Sequence, residues 1–303
     1  MEINQLKELL KKFDSKIIYN EDLKKKNWFN IGGKAKIFFR ADELKDLIEF
    51  LKTLNNREKI SVIGAGSNTL ITDDVYDGVV IKLGKKFNRL SLLNKNIIIS
   101  GAGVLDKKLA YYASDNNLSG FEFLACIPGT IGGGIKMNAG CFDQEIKDIL
   151  VSIQAIDKTG NILTISAKQI KFDYRNNDLS DNLIFLSASF EGRTKSSEVI
   201  KNKMLKLKAK KDNNQPTKIK TSGSTFKNPI KQTDRKVWEL IKESVPSNLS
   251  FGDACISDKH SNFFVNKGEA TFSDMKKLID FVTKSVLEKT GISIEKEIKI
   301  IEN

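Results

Sequence analysis

An α+β fold of more than one domain is predicted from three observations. Apolar residues switch between helical and strand spacing along the chain without a repeat of fixed period. The strand-like runs are short and bounded by glycine-rich turns. At 303 residues the chain exceeds what a single hydrophobic core usually supports, so two or three domains are expected.

The elements follow in order. Behind a short N-terminal helical pattern, Ala35 to Arg40 reads as a strand and Asp42 to Thr53 as a helix, with Leu44, Leu47, Ile48 and Leu51 at i, i+3, i+4 and i+7 and Asp42 as its cap. Ile60 to Ile63 and Gly78 to Leu83 read as buried strands on either side of a glycine turn. Ile97 to Ser100 is a further strand, followed by a helical pattern through Leu105, Leu109 and Tyr112. Pro128 to Gly140 interrupts any regular periodicity. Leu150 to Ile156 and Asn161 to Ile165 flank Asp157-Lys158-Thr159-Gly160, the chemistry of a hairpin turn, and Asn182 to Phe190 adds another strand. Lys201 to Lys211, with Met204, Leu205 and Leu207, reads as an amphipathic helix with a solvated face, and the polar segment Asp212 to Lys220 marks a boundary near residue 210. Beyond it, Ser273 caps a helix carrying Met275, Leu278, Ile279, Val282 and Val286, Gly291 stops it, and Ile292 to Ile300 alternates as a strand.

Composition narrows the class of function. With 40% hydrophobic and 29% charged residues the chain is globular rather than disordered, and it contains no long uncharged run of membrane-span length. No secretory signal is seen in Met1 to Lys12. Cys126, Cys141 and Cys255 are odd in number and lack a Cys-x-x-Cys pair, so neither a disulfide framework nor a zinc site is expected, and a reducing cytoplasm fits. The net charge of +12 invites an RNA-binding reading, but the lysines are spread along the chain; a lysine-rich surface, or a field suited to polyanionic substrates, accounts for it as well.

Two glycine loops stand out. Ser61 to Leu70 runs from an apolar strand into Gly64-Ala65-Gly66-Ser67-Asn68, where glycines let main-chain N–H groups approach a pyrophosphate and Ser67 and Asn68 add donors. It is not a Rossmann fingerprint: Thr69 holds the third glycine position, and short strands rather than a helix follow. Ile127 to Gly140 carries five glycines in fourteen residues, a density explained by close approach to a large planar ligand or by a tight irregular connection. Gly64-Ala65-Gly66-Ser67-Asn68, Pro128-Gly129-Thr130-Ile131-Gly132-Gly133 and Met137-Asn138-Ala139-Gly140 resemble the FAD-binding loops of vanillyl-alcohol-oxidase-type flavoproteins, and most closely those of the enolpyruvoylglucosamine reductases. Asn30-Ile31-Gly32-Gly33 is similar to that family's entry into the flavin unit. The resemblance implies a two-subdomain FAD unit (1–85 and 86–210) followed by a smaller α+β substrate domain (211–303), with Gly64 to Asn68, Pro128, Gly129, Thr130, Gly132, Gly133, Asn138, Ala139 and Gly140 holding the cofactor.

Three distant segments carry groups with the right chemistry and are similar to the family's catalytic motifs: Phe172-Asp173-Tyr174-Arg175, Ser222-Gly223-Ser224-Thr225-Phe226-Lys227-Asn228-Pro229 and Ile294-Glu295-Lys296-Glu297-Ile298. Singly, Arg175 reads as a surface ion-pair residue, Ser224 as a turn hydroxyl and the glutamates as a solvated strand face. A guanidinium is also suited to grip the enolpyruvyl carboxylate in a fork and to stabilise charge spreading onto it. The resemblance implies that Arg175 and Glu297 stabilise the intermediate and that Ser224 is the proton donor; Glu295, on the same face of the expected strand as Glu297, is the alternative carboxylate. Tyr174, Lys227 and Asn228 complete the expected substrate set, Lys227 as a cation for phosphate or carboxylate.

The implied reaction has two halves: NADPH reduces FAD and leaves, and UDP-N-acetylglucosamine enolpyruvate then accepts hydride at its vinyl carbon. A cytoplasmic monomer that touches neither membrane nor nucleic acid is expected. A sugar or aryl-alcohol oxidase of the same fold is the nearer alternative, though many of those tether FAD through histidine and the sole histidine, His260, lies far from the glycine loops in sequence. No catalytic role is assigned to His260, which reads as a satisfied, partly buried residue, and no metal is expected.

Overall fold

Residues 3–216 and 219–303 are described in the computed structural model, and they divide into two units. The first comprises residues up to Tyr19, Ile37–Ala65 and Gly78–Lys210; the second comprises Asn20–Lys36, Gly66–Asp77 and Lys211–Asn303. The boundary expected in Asp212 to Lys220 and the N-terminal reading from Met1 each include residues outside those described.

In the first unit, α1 (Ile3–Leu10) buries Leu6 and Leu10 against α2 (Leu44–Leu54) and a four-stranded sheet in the order Ile17–Asp22, Lys34–Ala41, Tyr76–Leu83, Ile60–Val62. The α2 stripe is deeper than its spacing predicts. Leu47, Phe50, Leu51 and Leu54 are all fully buried, with Phe50 stacked on Phe39 at 3.7 Å, whereas Leu44 is on the rim. Asp42 does not cap α2: Glu43 occupies the cap position without a side-chain bond, and Asp42 Oδ1 instead accepts from the main-chain N–H of Lys85 (3.2 Å). Ile60–Val62 runs parallel to Tyr76–Leu83, so the chain leaves the sheet at Ile63 directly into the Gly64 turn.

A second core in the same unit lies under a five-stranded antiparallel sheet in the order Ile162–Ser166, Leu150–Ile156, Ile184–Glu191, Ile97–Gly101, Leu90–Leu92. The predicted hairpin is present: Asp157 Oδ1 accepts from Thr159 N (2.8 Å) and Asn161 N (2.9 Å), and Gly160 takes φ +89°. Helix α3 (Asp106–Asp115) buries Leu109, Ala110 and Ala113 in this core. Contrary to the reading of Pro128 to Gly140 as irregular, a short helix, α4 (Ile131–Lys136), forms across the glycines. Glycine weakens a helix in isolation, but Ile131 and Ile135 are fully buried, and that packing overrides propensity. Helix α5 (Ser197–Asn214) forms as predicted but buries only Ile200 and Met204; Leu205, expected on its apolar face, is 64% exposed.

The second unit packs α6 (Val237–Ser244) and α7 (Phe272–Thr290) on the strands Ser250–Phe251, Ala254–Ile256 and Phe264–Asn266, around Phe29, Leu70, Phe226, Leu240, Phe264, Met275, Leu278 and Val282. Thr271, not Ser273, caps α7: its hydroxyl accepts from Asp274 N (3.1 Å) while Asp274 Oδ2 accepts from Thr271 N (3.0 Å), a capping box that places Ser273 inside the first turn. Gly291 ends the helix at φ +72°, as its position predicts. The terminal strand is shorter than the alternation from Ile292 suggests. Only Lys299–Ile301 pairs regularly, in parallel with Thr69–Ile71, and Lys296 makes a single bridge to Phe226.

Candidate active site

Within the first unit, α4 is built for close main-chain approach. Ile131 N–H bonds the Val104 carbonyl (2.9 Å) and Gly132 N–H that of Ala102 (2.8 Å), which lays the helix on the turn after Ile97–Gly101. A side chain on Gly132 would press on Ala102 at 3.2 Å, and one on Gly64 would meet Thr130 Oγ1 at 2.3 Å, so Gly64 and Thr130 meet across two distant loops. Gly133 differs: the nearest atom to a Cβ there is Thr130 Oγ1 at 3.6 Å, leaving open space beside the backbone. Thr130 precedes α4 without capping it. Bare backbone facing space, next to a hydroxyl, fits a large ligand with an anionic linker. Deeper in the same wall, Asp106 is fully buried with neither carboxyl oxygen hydrogen-bonded among the described residues, and burial pushes its carboxyl up to about 8.

The same loop holds Arg175. The residues Phe172–Asp173 and Asn176–Asn177 pair as a tight hairpin whose turn is Tyr174-Arg175, with Arg175 at φ +55°. Asn177 Nδ2 donates to the carbonyls of Ile135 (2.8 Å) and Lys136 (3.1 Å), docking the hairpin on the end of α4. Fully buried Asn138 donates to the Asp173 carbonyl (3.1 Å) and to Glu145 Oε2 (2.9 Å). The Arg175 guanidinium lies over the Tyr174 ring at 4.9 Å, donates to the Gly140 carbonyl (2.7 Å) and stands 3.6 Å from Glu145 Oε1. Lys147 pairs with Glu145 Oε2 at 2.7 Å, a hydrogen bond that raises the lysine's pKa.

Within the second unit, the segment Ser222 to Asn228 is laced between two others. Thr225 N–H bonds the Asn262 carbonyl (2.8 Å), and buried Asn262 accepts from Phe226 N (2.9 Å) and donates back to the Phe226 carbonyl (2.8 Å). On the other side, Glu297 N–H bonds the Thr225 carbonyl (2.8 Å) and Lys227 N–H that of Glu295 (2.8 Å). Thr225, the residue after Ser224, is thereby bonded through its main chain to Glu297. The two glutamates are no longer equivalent: Glu295 is 77% exposed and paired with Lys227 Nζ (3.3 Å), whereas Glu297 is half-buried. Asn68 Nδ2 donates to the Glu297 carbonyl (3.1 Å), so the second half of the Gly64 to Asn68 loop touches the glutamate segment. Gly66, at φ +67°, packs so tightly on Lys26 and Asn27 that a Cβ would lie 2.1 Å from the Lys26 carbonyl oxygen. Asn228 Oδ1 accepts from Val237 N at the start of α6 (3.0 Å).

His260 is half-buried among Phe263 and Trp238, its Nδ1 accepts from Asn262 N (3.2 Å), and burial lowers its pKa; it is a packed, satisfied residue. Glu145, Asn177 and Asp106 escape the sequence reading. A lone glutamate in a charged loop, an asparagine in a turn and an aspartate at a helix start carry no local signal of what they touch.

Comparison with known proteins completes the picture. Residues 35–166 match the family model described as FAD binding domain, and residues 215–301 match that described as UDP-N-acetylenolpyruvoylglucosamine reductase, C-terminal domain. The chain is 62% identical to the UDP-N-acetylenolpyruvoylglucosamine reductase of Pelagibacter ubique (strain HTCC1062), over 99% of this chain and 100% of that protein. It is 44% identical to the enzyme of the same name from Rickettsia conorii, over 93% and 95%. A crystal structure of UDP-N-acetylenolpyruvylglucosamine reductase from Thermus caldophilus superposes with a TM-score of 0.80 at 28% identity, covering 94% of this chain and 98% of that one. By end-to-end identity with named members, the chain belongs to the UDP-N-acetylenolpyruvoylglucosamine reductase family.

Proposed function

We propose that the protein uses NADPH and FAD to reduce UDP-N-acetylglucosamine enolpyruvate to UDP-N-acetylmuramate, a precursor of bacterial peptidoglycan, with Arg175, Ser224 and Glu297 as its catalytic residues. The observation that carries this reading is the tie between Arg175 and the glycine loop, which sets a cation against the wall suited to the cofactor. The loop fits FAD. Gly64, Gly132 and Gly133 offer main chain without side chains, Gly133 borders open space, and Thr130 adds a hydroxyl beside it. Gly64 to Asn68, Pro128 to Thr130, Gly132, Gly133 and Asn138 to Gly140 would hold it. Bound FAD supplies the two-electron relay, taking hydride from NADPH and giving hydride to the substrate's vinyl carbon.

The chain's own groups handle charge and protons. Arg175 binds the enolpyruvyl carboxylate, into which negative charge spreads once the methylene carbon has gained hydride. Ser224 donates its proton to the carbon bearing the ether oxygen, and the alkoxide left behind is reprotonated from solvent; hydride and proton together saturate the double bond. Glu297, the less exposed of the two carboxylates, is assigned to the same intermediate, and Tyr174, Lys227 and Asn228 to substrate binding. Residues 211–303 form the substrate domain, and 1–85 and 86–210 hold the flavin. The protein acts as a cytoplasmic monomer; among the described residues no helix is long and apolar enough to cross a membrane.

The test is steady-state oxidation of NADPH by purified protein, with and without the enolpyruvyl sugar, beside the visible spectrum. Flavin absorbance and substrate-dependent oxidation are expected. A protein that neither contains nor takes up FAD, or that oxidises NADPH at the same rate without the sugar, would sink the proposal.

A further inference from the structure

The turn bearing Arg175 is strained, and the strain is concentrated around one carboxylate. Asn138, Phe142, Asp143 and Arg175 all take positive φ (41°, 53°, 60° and 55°), a conformation that L-residues keep only where the surroundings enforce it. Glu145 lies among them and is anchored at three points: its N–H bonds Asp148 Oδ2 (2.8 Å), its Oε2 accepts from buried Asn138 (2.9 Å), and the same oxygen pairs with Lys147 (2.7 Å). That leaves Oε1 directed at Arg175 Nη1 from 3.6 Å, with both side chains mostly buried, at 18% and 15% exposure. At that distance the contact is coulombic rather than a hydrogen bond. A carboxylate held by Asn138 and Lys147 at that distance fixes, through its charge, where the cation sits.

We infer that Glu145 is a positioning residue for the reduction: it holds the Arg175 guanidinium where the carboxylate of the enolpyruvyl group must dock. The inference rests on the proposed role of Arg175 as the carboxylate's partner. It assigns Glu145 to recognition of the carboxylate and not of the nucleotide or the sugar. Two ligands separate these contributions: UDP-N-acetylglucosamine enolpyruvate, which carries the carboxylate, and UDP-N-acetylglucosamine, which does not.

The experiment measures binding of both ligands to the oxidised FAD-containing enzyme by calorimetry, together with kcat and KM, for the parent, Glu145→Gln, Arg175→Ala and the double variant. Glu145→Gln is expected to weaken binding of the enolpyruvyl sugar about tenfold to a hundredfold, the range for a hydrogen-bonded charged group losing its alignment. Binding of UDP-N-acetylglucosamine stays at the parent value, and the double variant binds no more weakly than Arg175→Ala alone. Equal weakening of both ligands would make Glu145 merely structural, and unchanged binding of both, or losses that add in the double variant, would also overturn the inference. If Arg175→Ala itself binds the enolpyruvyl sugar like the parent, the reading of Arg175 fails, and this inference with it. Glu145→Asp, which keeps the charge but draws it back, gives the same ordering with a smaller loss and serves if Glu145→Gln does not fold.

Discussion

Arg175 Nη2 donates to the Gly140 carbonyl at 2.7 Å, so the one arginine with a proposed catalytic role is bonded to the last residue of the glycine loop expected to hold the flavin. On the proposed reading this cation serves the enolpyruvyl carboxylate and not NADPH. Arg175→Ala is therefore expected to retain FAD and its reduction by NADPH, while reoxidation by the enolpyruvyl sugar slows about a hundredfold to a thousandfold, the effect of removing one transition-state donor. Stopped-flow absorbance of the flavin separates the halves; unchanged reoxidation removes Arg175 from the site.

Ser224 sits one residue from Thr225, whose main chain bonds both Asn262 and Glu297, so its position is fixed from two sides. Replacing the hydroxyl with hydrogen leaves that lacing intact. Ser224→Ala should bleach the flavin with NADPH at the parent rate while product formation falls about a hundredfold to ten-thousandfold, the scale of a lost general acid. Equal loss in both halves would show that the residue is not the proton donor.

Glu295 and Glu297 are a matched pair on paper and an unmatched one in the fold. Glu295 is solvated and engaged by Lys227, an exposed ion pair of the kind worth about 0–1 kcal/mol; Glu297 is half-buried, its N–H bonded to the carbonyl of Thr225. Glu295→Gln should keep activity within about twofold of the parent, and Glu297→Gln should lower kcat by about a hundredfold or more. The reverse pattern in steady-state assays would transfer the role to Glu295.

What the sequence reveals and what it hides divide along physical lines. Short apolar runs and turn chemistry are local, so the Asp157 to Gly160 hairpin, the Gly291 stop and longer strands such as Leu150–Ile156 and Ile184–Glu191 are legible from spacing alone, whereas the two- and three-residue strands such as Ser250–Phe251 and Phe264–Asn266 are not. Helix α4 is not, because glycine argues against a helix until Ile131 and Ile135 find their burial among residues far away in sequence. The cap of α7 falls on Thr271 because the reciprocal bond with Asp274 outweighs anything Ser273 offers, and two candidate caps two residues apart look alike in a string of letters. The motif segments around Arg175, Ser224 and Glu297 are recognisable by resemblance. Their supports are not: Asn177, Glu145 and Asn262, and Asn138 in its bonds to Asp173 and Glu145, act through carbonyls and carboxylates brought near only by folding.

Gly133 offers a test of where the cofactor lies that does not depend on catalysis. A methyl group there meets nothing in the protein closer than 3.6 Å, and within α4 alanine is the better helix former by about 1 kcal/mol. Gly133→Ala apoprotein should unfold at the parent temperature or slightly above it, yet take up FAD more weakly, since the methyl occupies space left for the ligand. Thermal unfolding of the apoprotein and fluorescence titration with FAD check both halves. Undiminished FAD affinity would move the cofactor away from this face.

Asp106 makes stability depend on pH in a direction opposite to most carboxylates. Its carboxyl is raised from the usual 3.8 to about 8 by burial, with no hydrogen bond among the described residues to stabilise the anion. Below about pH 4 the group is protonated in both states and its contribution is fully present. As pH rises, the unfolded chain releases the proton while the folded chain keeps it, so stability declines by up to about 1.4 kcal/mol per pH unit until the folded group ionises near pH 8. Asp106→Asn has nearly the same shape and no charge to release, which removes this slope. Urea unfolding of the two apoproteins between about pH 5 and about pH 8 should show the variant gaining on the parent throughout that window. Curves that stay parallel would mean that Asp106 is already ionised in the folded protein, with a partner for its charge inside the wall behind α4.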